Sequence, residues 1–259
     1  SESNLVTTVS GSGSPGSLAF TEQPQNGQVS VALRPVKVTV YDTCGNVSTD
    51  ASGDVTLALG GPDTVFGGSG ATLGGDSSRP VVSGTATFDD LTVSESGLGY
   101  TLSASFAGVD KTSQEFNIYD FYGDCSNGCP AVGNGTTSID IEAVPGTVGL
   151  GVGPADTNNA RCGSGLTPLG STFVIVPESG STGTFTAVLT INKRGLQGVG
   201  VSNIVVCLSG DPSTPLQQLA RCAKKRPQPK CIVSQTSSNA GDALITILLD
   251  DDPVGSGFR

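Results

Sequence analysis

Short stretches of alternating apolar and polar residues recur along the first half of the chain. In the clearest of them Val36, Val38 and Val40 occupy every second position, with polar or amphipathic residues between them. Because successive side chains of a β-strand point to opposite faces, this pattern predicts a strand with one buried face. Similar β-branched or aromatic stretches, bounded by turn residues, cover residues 55–59, 85–88, 91–93 and 100–106. Short strands at this spacing predict a β-sandwich.

The second half of the chain has the same pattern. Phe185, Ala187, Leu189 and Ile191 alternate with mostly hydroxyl-bearing residues. Further predicted strands cover residues 138–144, 172–176, 202–208 and 243–249. The only predicted helix is one or two turns within residues 215–223. We therefore predict an all-β protein of two β-sandwich domains in tandem, residues 18–118 and 119–259, preceded by an extended N-terminal arm.

The arm, residues 1–17, is rich in Ser and Gly and contains one β-prone piece. That piece consists of Leu5, Val6, Thr7, Thr8 and Val9. One interpretation is a flexible leader or linker. The other is a donor strand that pairs with the open sheet edge of a neighbouring subunit, since a free strand followed by a flexible hinge has the geometry that strand addition requires.

Residues 18–118 resemble a known family. The resemblance rests on residues 18–24, 40–46, 84–93 and 99–102, in that order. In this order they resemble the bacterial immunoglobulin-like repeats of secreted and cell-surface proteins. The resemblance implies an immunoglobulin-like β-sandwich for this part of the chain. It implies no activity, because such repeats serve mainly as spacers, stalks and adhesive units.

Residues 120–259 carry a second resemblance, through the surroundings of four cysteines. Cys162, Cys207, Cys222 and Cys231, with the basic stretch before Cys231 and the Asp-Pro at 252–253, resemble a C-terminal module of secreted bacterial repeat proteins. For these four cysteines we favour the pairs Cys207–Cys222 and Cys162–Cys231. The alternative is Cys162–Cys207 with Cys222–Cys231.

The chain has seven cysteines and no histidine, which favours disulfides over zinc ligands and predicts an oxidising compartment. Cys125 and Cys129 are close enough in sequence to close a small loop. Cys44 is then the odd cysteine. It is either a buried thiol that packs as a small apolar residue or a free thiol for an intermolecular bridge.

Composition excludes several classes of function. The absence of histidine excludes Ser–His–Asp and Cys–His nucleophile systems, and a net charge of −10 argues against nucleic acid as a partner. With no Trp and four Tyr, the chain has few aromatic rings to stack on a sugar, which weakens the interpretations as a glycosidase or a lectin. The aspartates at 89–90 and 250–252 lack the spacing of a calcium loop and are expected to be solvated turns. We expect no metal and no cofactor.

Two features concern location and partners. The chain has no Met, so we expect that an initiator and a signal peptide were removed, and no apolar run is long enough to span a membrane. The one basic cluster, at residues 224–226, is either a solvated loop or a docking point for an acidic surface.

Together these features predict a non-enzymatic, secreted structural protein. The expected role is that of a self-associating subunit of a bacterial surface filament, sheath or layer. The alternative is an adhesion module that binds glycan or protein through loops at one end of a sandwich. A third interpretation, an accessory domain of a secreted hydrolase, has little support from the residues.

Overall fold

The computed structural model describes residues 14–61, 70–142, 146–153, 172–177, 183–204, 206–208, 217–223 and 230–251. In these ranges the chain is all-β, as predicted, and its only helical element is a 3-10 turn at Val201–Asn203. The chain divides into two compact units. The first includes the described residues up to Glu95 and then Gly99–Asn117, and the second includes Ser96–Leu98 and the described residues from Ile118 onward.

The first unit is built from strands β1 to β11, except that Gly97–Leu98 of β9 and Ile118–Tyr119 of β11 belong to the second unit. Their bounds are Pro15–Glu22, Gly27–Gln28, Val36–Asp42, Asp54–Gly60, Leu73–Gly74, Ser78–Pro80, Thr85–Phe88, Thr92–Val93, Gly97–Phe106, Val109–Thr112 and Phe116–Tyr119. One sheet has the order β1-β3-β7. The other has the order β2-β11-β9-β4-β6, with β10 paired to β9, and β5 pairs separately with β8.

Alternate residues of these strands form the core of the first unit. In β3, Val36, Val38 and Val40 are fully buried, which confirms the predicted apolar face, whereas Thr39, on the opposite face, is buried as well. In β9 the residues at even positions from Tyr100 to Phe106 are buried and those between are partly exposed. This burial of one face in each of two sheets is the arrangement of a β-sandwich.

The second unit is built from strands β12 to β21. Their bounds are Phe121–Asp124, Val132–Gly133, Thr137–Ile141, Thr147–Gly153, Thr172–Pro177, Gly183–Ile191, Cys207–Leu208, Gln217–Gln218, Cys231–Ser237 and Ala243–Asp251. The largest sheet has the order β13-β14-β17-β21-β20. A three-stranded sheet has the order β12-β15-β16, and β18 pairs with β19. The core of the second unit is mainly aliphatic and includes Cys125 and Cys129.

Three details differ from the sequence predictions. β1 begins at Pro15, so residues 15–17, assigned to the arm, belong to the first strand, and its register places Leu18 opposite Val40. Over its described residues, the predicted strand at 202–208 is reduced to Cys207–Leu208, after the 3-10 turn. The predicted helix is wrong over residues 217–223, where Gln217–Gln218 form β19 and no helix follows. Residues 215–216 and the piece from Leu5 to Val9 lie outside the described residues.

Strand β15 was not predicted because glycine occupies every second position in it. A Cβ at Gly149 would lie 2.5 Å from a ring carbon of Tyr119, so the absence of a side chain there makes room for this buried ring. The close approach of a ring to a strand backbone is one reason for glycine in a strand interior.

Tyr100 gives the first unit a testable dependence on pH. Its side chain is fully buried, and its hydroxyl donates a hydrogen bond to the carbonyl oxygen of Glu95 at 3.0 Å. Burial, with a smaller effect of the Glu95 carboxylate, raises the pKa of Tyr100 from 10.0 to about 12. Between these two values the unfolded chain loses the phenolic proton and the folded chain keeps it.

We therefore expect the contribution of Tyr100 to the free energy of unfolding to be complete and independent of pH below pH 10, and to fall as the pH rises from 10 to about 12. Tyr100→Phe removes the titrating group and should flatten this slope. The measurement is urea unfolding at several pH values, with an ultraviolet titration of the tyrosines as a check. An equal slope in Tyr100→Phe would contradict the assignment.

Candidate functional site

A disulfide joins Cys125 to Cys129, four positions apart in the sequence, and closes a small loop inside the second unit. Cys125 is 0% exposed and Cys129 is 7% exposed. The loop is also held by its backbone, because the Cys125 N–H donates to the Gly146 carbonyl at 2.9 Å and the Cys129 N–H donates to the Ile141 carbonyl at 3.0 Å. A loop this short contributes about 2 kcal/mol by loop closure. Its role is to crosslink the core.

The second disulfide overturns the favoured cysteine pairing. Cys222 is bonded to Cys231. Because each cysteine forms one disulfide, the pairs Cys207–Cys222 and Cys162–Cys231 are both wrong. The bond agrees with one half of the alternative pairing. The other half, Cys162–Cys207, stays a prediction, because Cys162 and the side chain of Cys207 lie outside the described residues. The sequence analysis left this bond in the alternative pairing because spacing alone does not determine connectivity.

Cys44 is exposed and is not part of a disulfide. The interpretation as a buried thiol is therefore wrong, and the intermolecular bridge stays a prediction. Cys44 follows β3 in a turn organised by Asp42. One carboxylate oxygen of Asp42 accepts hydrogen bonds from the backbone N–H groups of Cys44 and Asn46, both at 2.9 Å. Gly45 at the tip has φ +84°, which favours glycine.

The hydrogen bonds of this turn also affect the charge of Asp42. The bond from the backbone N–H of Asn46 is the main cause that lowers the pKa of the Asp42 carboxyl below 3.8. Bonds from the Asn46 side chain and from the backbone of Cys44 act in the same direction, against the effect of burial. The turn therefore favours ionised Asp42 and presents the thiol of Cys44 on a fixed backbone.

The aspartates at 89–90 form ion pairs with Arg79. The guanidinium lies 3.2 Å from Asp89, 3.0 Å from Asp90 and 3.5 Å from Asp76, measured between nitrogen and carboxylate oxygen. Its hydrogen bond to Asp90 is the main cause that lowers the pKa of that carboxyl. Exposed ion pairs of this kind contribute little to stability, so the group is best described as a surface link between β6 and the residues after β7.

Two further features concern metal ligands and membrane-spanning helices among the described residues. Within those ranges no group of three or more His, Cys, Asp or Glu is placed to hold a metal ion. No helix in the described part of the chain is long and apolar enough to cross a membrane. The basic cluster at 224–226, Asp252, and the side chains of Asp250 and Asp251 lie outside the described residues.

No protein-family model matches this chain, and no curated protein is significantly similar to it. The resemblance to immunoglobulin-like repeats therefore stays a prediction. The sites that the structure does describe are two disulfides, one exposed thiol, the ion-pair group of Arg79 and a second surface ion pair between Lys37 and Glu22. The disulfides crosslink the chain, the ion pairs form contacts at the surface, and the exposed thiol of Cys44 can form a disulfide with a partner.

Replacing Asp42 tests whether its carboxylate holds the Cys44 turn. In Asp42→Ala two backbone N–H groups lose their acceptor, so we expect faster hydrogen exchange at the Cys44 and Asn46 amides. Asp50→Ala, in the same loop, is the matched control and should leave both amides unchanged. Equal exchange in Asp42→Ala and the parent protein would remove the role assigned to Asp42.

The same turn has a predicted pH dependence. Because the pKa of Asp42 is lowered from 3.8 in the folded protein, its stabilising contribution is complete above that value and is lost as the pH falls below it. We expect the slow exchange of the Asn46 amide, corrected for the intrinsic rate, to be lost below pH 3.8. Protection that persists unchanged at lower pH would contradict this.

Proposed function

We propose that this protein is a non-enzymatic structural unit of an extracellular assembly that forms by self-association of identical subunits. The observation that carries the proposal is the all-β second unit with its two disulfides, Cys125–Cys129 and Cys222–Cys231. Disulfides persist in oxidising environments, which supports a secreted location. Crosslinked sheets resist opening, and this property suits a role in which the protein holds a shape.

The sheet edges of the first unit limit how such an assembly can form. The edge strand β10 carries exposed Asp110 and Lys111, and the edge strand β6 ends at Pro80. Charged residues and proline are the means by which natural proteins prevent pairing between sheet edges. The edges formed by β6 and β10 are therefore poor contacts between subunits.

Two other features are better suited to link subunits. The first is the β-prone piece from Leu5 to Val9, in the part of the chain that precedes β1 and lies outside the described residues. A free strand at a terminus can add to a sheet of a neighbouring subunit. The second is the exposed thiol of Cys44, which can form a disulfide with an identical thiol on another subunit.

Deletion of residues 1–13 tests the first link. We expect the parent chain to sediment as species larger than its 25.9 kDa monomer and the deletion to shift them toward the monomer. Deletion of residues 1–4 is the matched control, because it retains Leu5 to Val9. If both deletions behave as the parent does, the arm does not link subunits.

Substitution of Cys44 tests the second link by the same measurement. Cys44→Ser should remove any dimer that survives denaturation without reductant and leave non-covalent species unchanged. A parent chain that stays monomeric at all concentrations and binds an immobilised glycan would overturn the proposed assembly in favour of an adhesion module.

A further inference from the structure

The edge strand of the largest sheet in the second unit is partly covered by a short segment of the same chain. β20 pairs with β21 on one side. On its other side the Ile232 N–H donates to the Ala220 carbonyl at 2.8 Å, and the Cys222 N–H donates to the Ile232 carbonyl at 2.9 Å. Arg221 thus forms a parallel bridge with Ile232. Residues 220–222, which we call the edge cover, therefore occupy the hydrogen-bonding positions of Ile232.

Four contacts of the described residues hold the edge cover on β20. These are the two backbone hydrogen bonds, a side-chain bond from the Arg221 guanidinium to Gln235 at 3.3 Å, and the disulfide between Cys222 and Cys231. Two exchangeable hydrogen bonds contribute little net free energy, because water offers the same groups replacement partners. The disulfide is the one contact that water cannot replace.

We propose that the Cys222–Cys231 disulfide is a redox-controlled clasp: while oxidised it keeps the edge cover on β20, and its reduction exposes this edge to β20 of a second copy of the chain. The clasp itself does not depend on the function proposed above. The choice of a second copy as the partner rests on the self-association proposed there.

Of the two described disulfides, Cys222–Cys231 is the more accessible to a reductant. Cys222 is partly exposed, whereas Cys125 is 0% and Cys129 is 7% exposed. Reduction by thiols requires a thiolate to reach one of the sulfur atoms. Cys231 is 7% exposed, so the attack falls on the Sγ of Cys222.

The reduction balances with a small dithiol as the reductant. Its thiolate bonds to the Cys222 sulfur, the Cys222–Cys231 bond breaks, and Cys231 leaves as a thiolate that takes up a proton. The second thiol of the reductant then closes its own disulfide and releases Cys222. The protein gains two electrons and two protons, and the dithiol is oxidised to a cyclic disulfide.

The sequence of β20 indicates a copy of itself as the partner. The strand Cys231–Ser237 contains no charged residue, and Val233 is 51% exposed. In a chain of net charge −10, an uncharged edge meets an identical edge without like charges directly opposite each other. Identical strands can pair antiparallel about a two-fold axis. A register shift between Ile232 and Ser234 interrupts the edge. Beyond it the Gln235 side chain donates to the backbone carbonyls of Val201 and Ile204, so the pairing that reduction permits runs through Ile232.

Amide exchange followed by NMR tests the clasp itself. After reduction of the Cys222–Cys231 bond, confirmed by mass spectrometry, we expect the amides of Ile232 and Cys222 to exchange about tenfold faster. The Lys230 amide, which donates to the Leu248 carbonyl at 2.7 Å within the sheet, is the internal control and should be unchanged. The double variant Cys222→Ser with Cys231→Ser should show the same change without reductant, and Cys125→Ser with Cys129→Ser should not.

Sedimentation of the same samples tests the partner. We expect reduction to produce a concentration-dependent dimer that Thr236→Lys prevents, because a lysine on an edge strand opposes pairing. This lysine variant should leave the exchange of Ile232 unaltered. The deletion of residues 1–13 should leave this dimer intact, which separates it from assembly through the arm.

Two results would overturn the clasp: unchanged exchange at Ile232 after confirmed reduction, or reduction of Cys125–Cys129 before Cys222–Cys231. Faster exchange without any dimer would overturn the second copy as partner. The double variant does not decide the matter alone if it fails to fold, because chemical reduction of the parent protein gives the same measurement.

Discussion

The burial of every second side chain along a strand is the constraint on which both units depend. In β3 this alternation places three valines in the core of the first unit, and in β17 it places Phe185, Ala187 and Ile191 in the core of the second. A shift of one residue in register would turn each of these side chains toward the opposite face. The alternation therefore determines which residues pair, and the pairing determines where each turn and each edge lies.

The same constraint explains which parts of the fold the sequence predicts. β3 and β17 were predicted because apolar residues occupy every second position and β-branched or aromatic residues fill most of the positions between them. β15 was missed because glycines lie between its apolar residues, and glycine is depleted in strands, although here Gly149 leaves room for the ring of Tyr119. The helix predicted at 215–223 fails over its described part because Leu219 donates its N–H to the Val206 carbonyl and Ile232 donates to Ala220. These long-range bonds cannot be inferred from local propensity.

The candidate site was predictable only in part, for a related reason. The composition indicated disulfides, and the spacing of Cys125 and Cys129 was enough to suggest a small loop. The partner of Cys222 depends on the position of β20 at the sheet edge, next to residues 220–222. The exposure of Cys44 likewise depends on the turn that Asp42 organises, and the pattern of the preceding strand contains no information about it.

The difference between the two cores gives a physical reason for the position of the disulfides. The first unit buries large aromatic side chains, among them Tyr100, Phe88 and Phe116, and each of these removes much apolar area from water. The core of the second unit is mainly aliphatic, with Phe185 and Tyr119 as its buried aromatic rings among the described residues, and one of its sheets contains the glycine-rich β15. Side chains of this size bury less area per residue. Crosslinks that restrict the unfolded chain supply part of the difference, and both described disulfides, Cys125–Cys129 and Cys222–Cys231, belong to this unit.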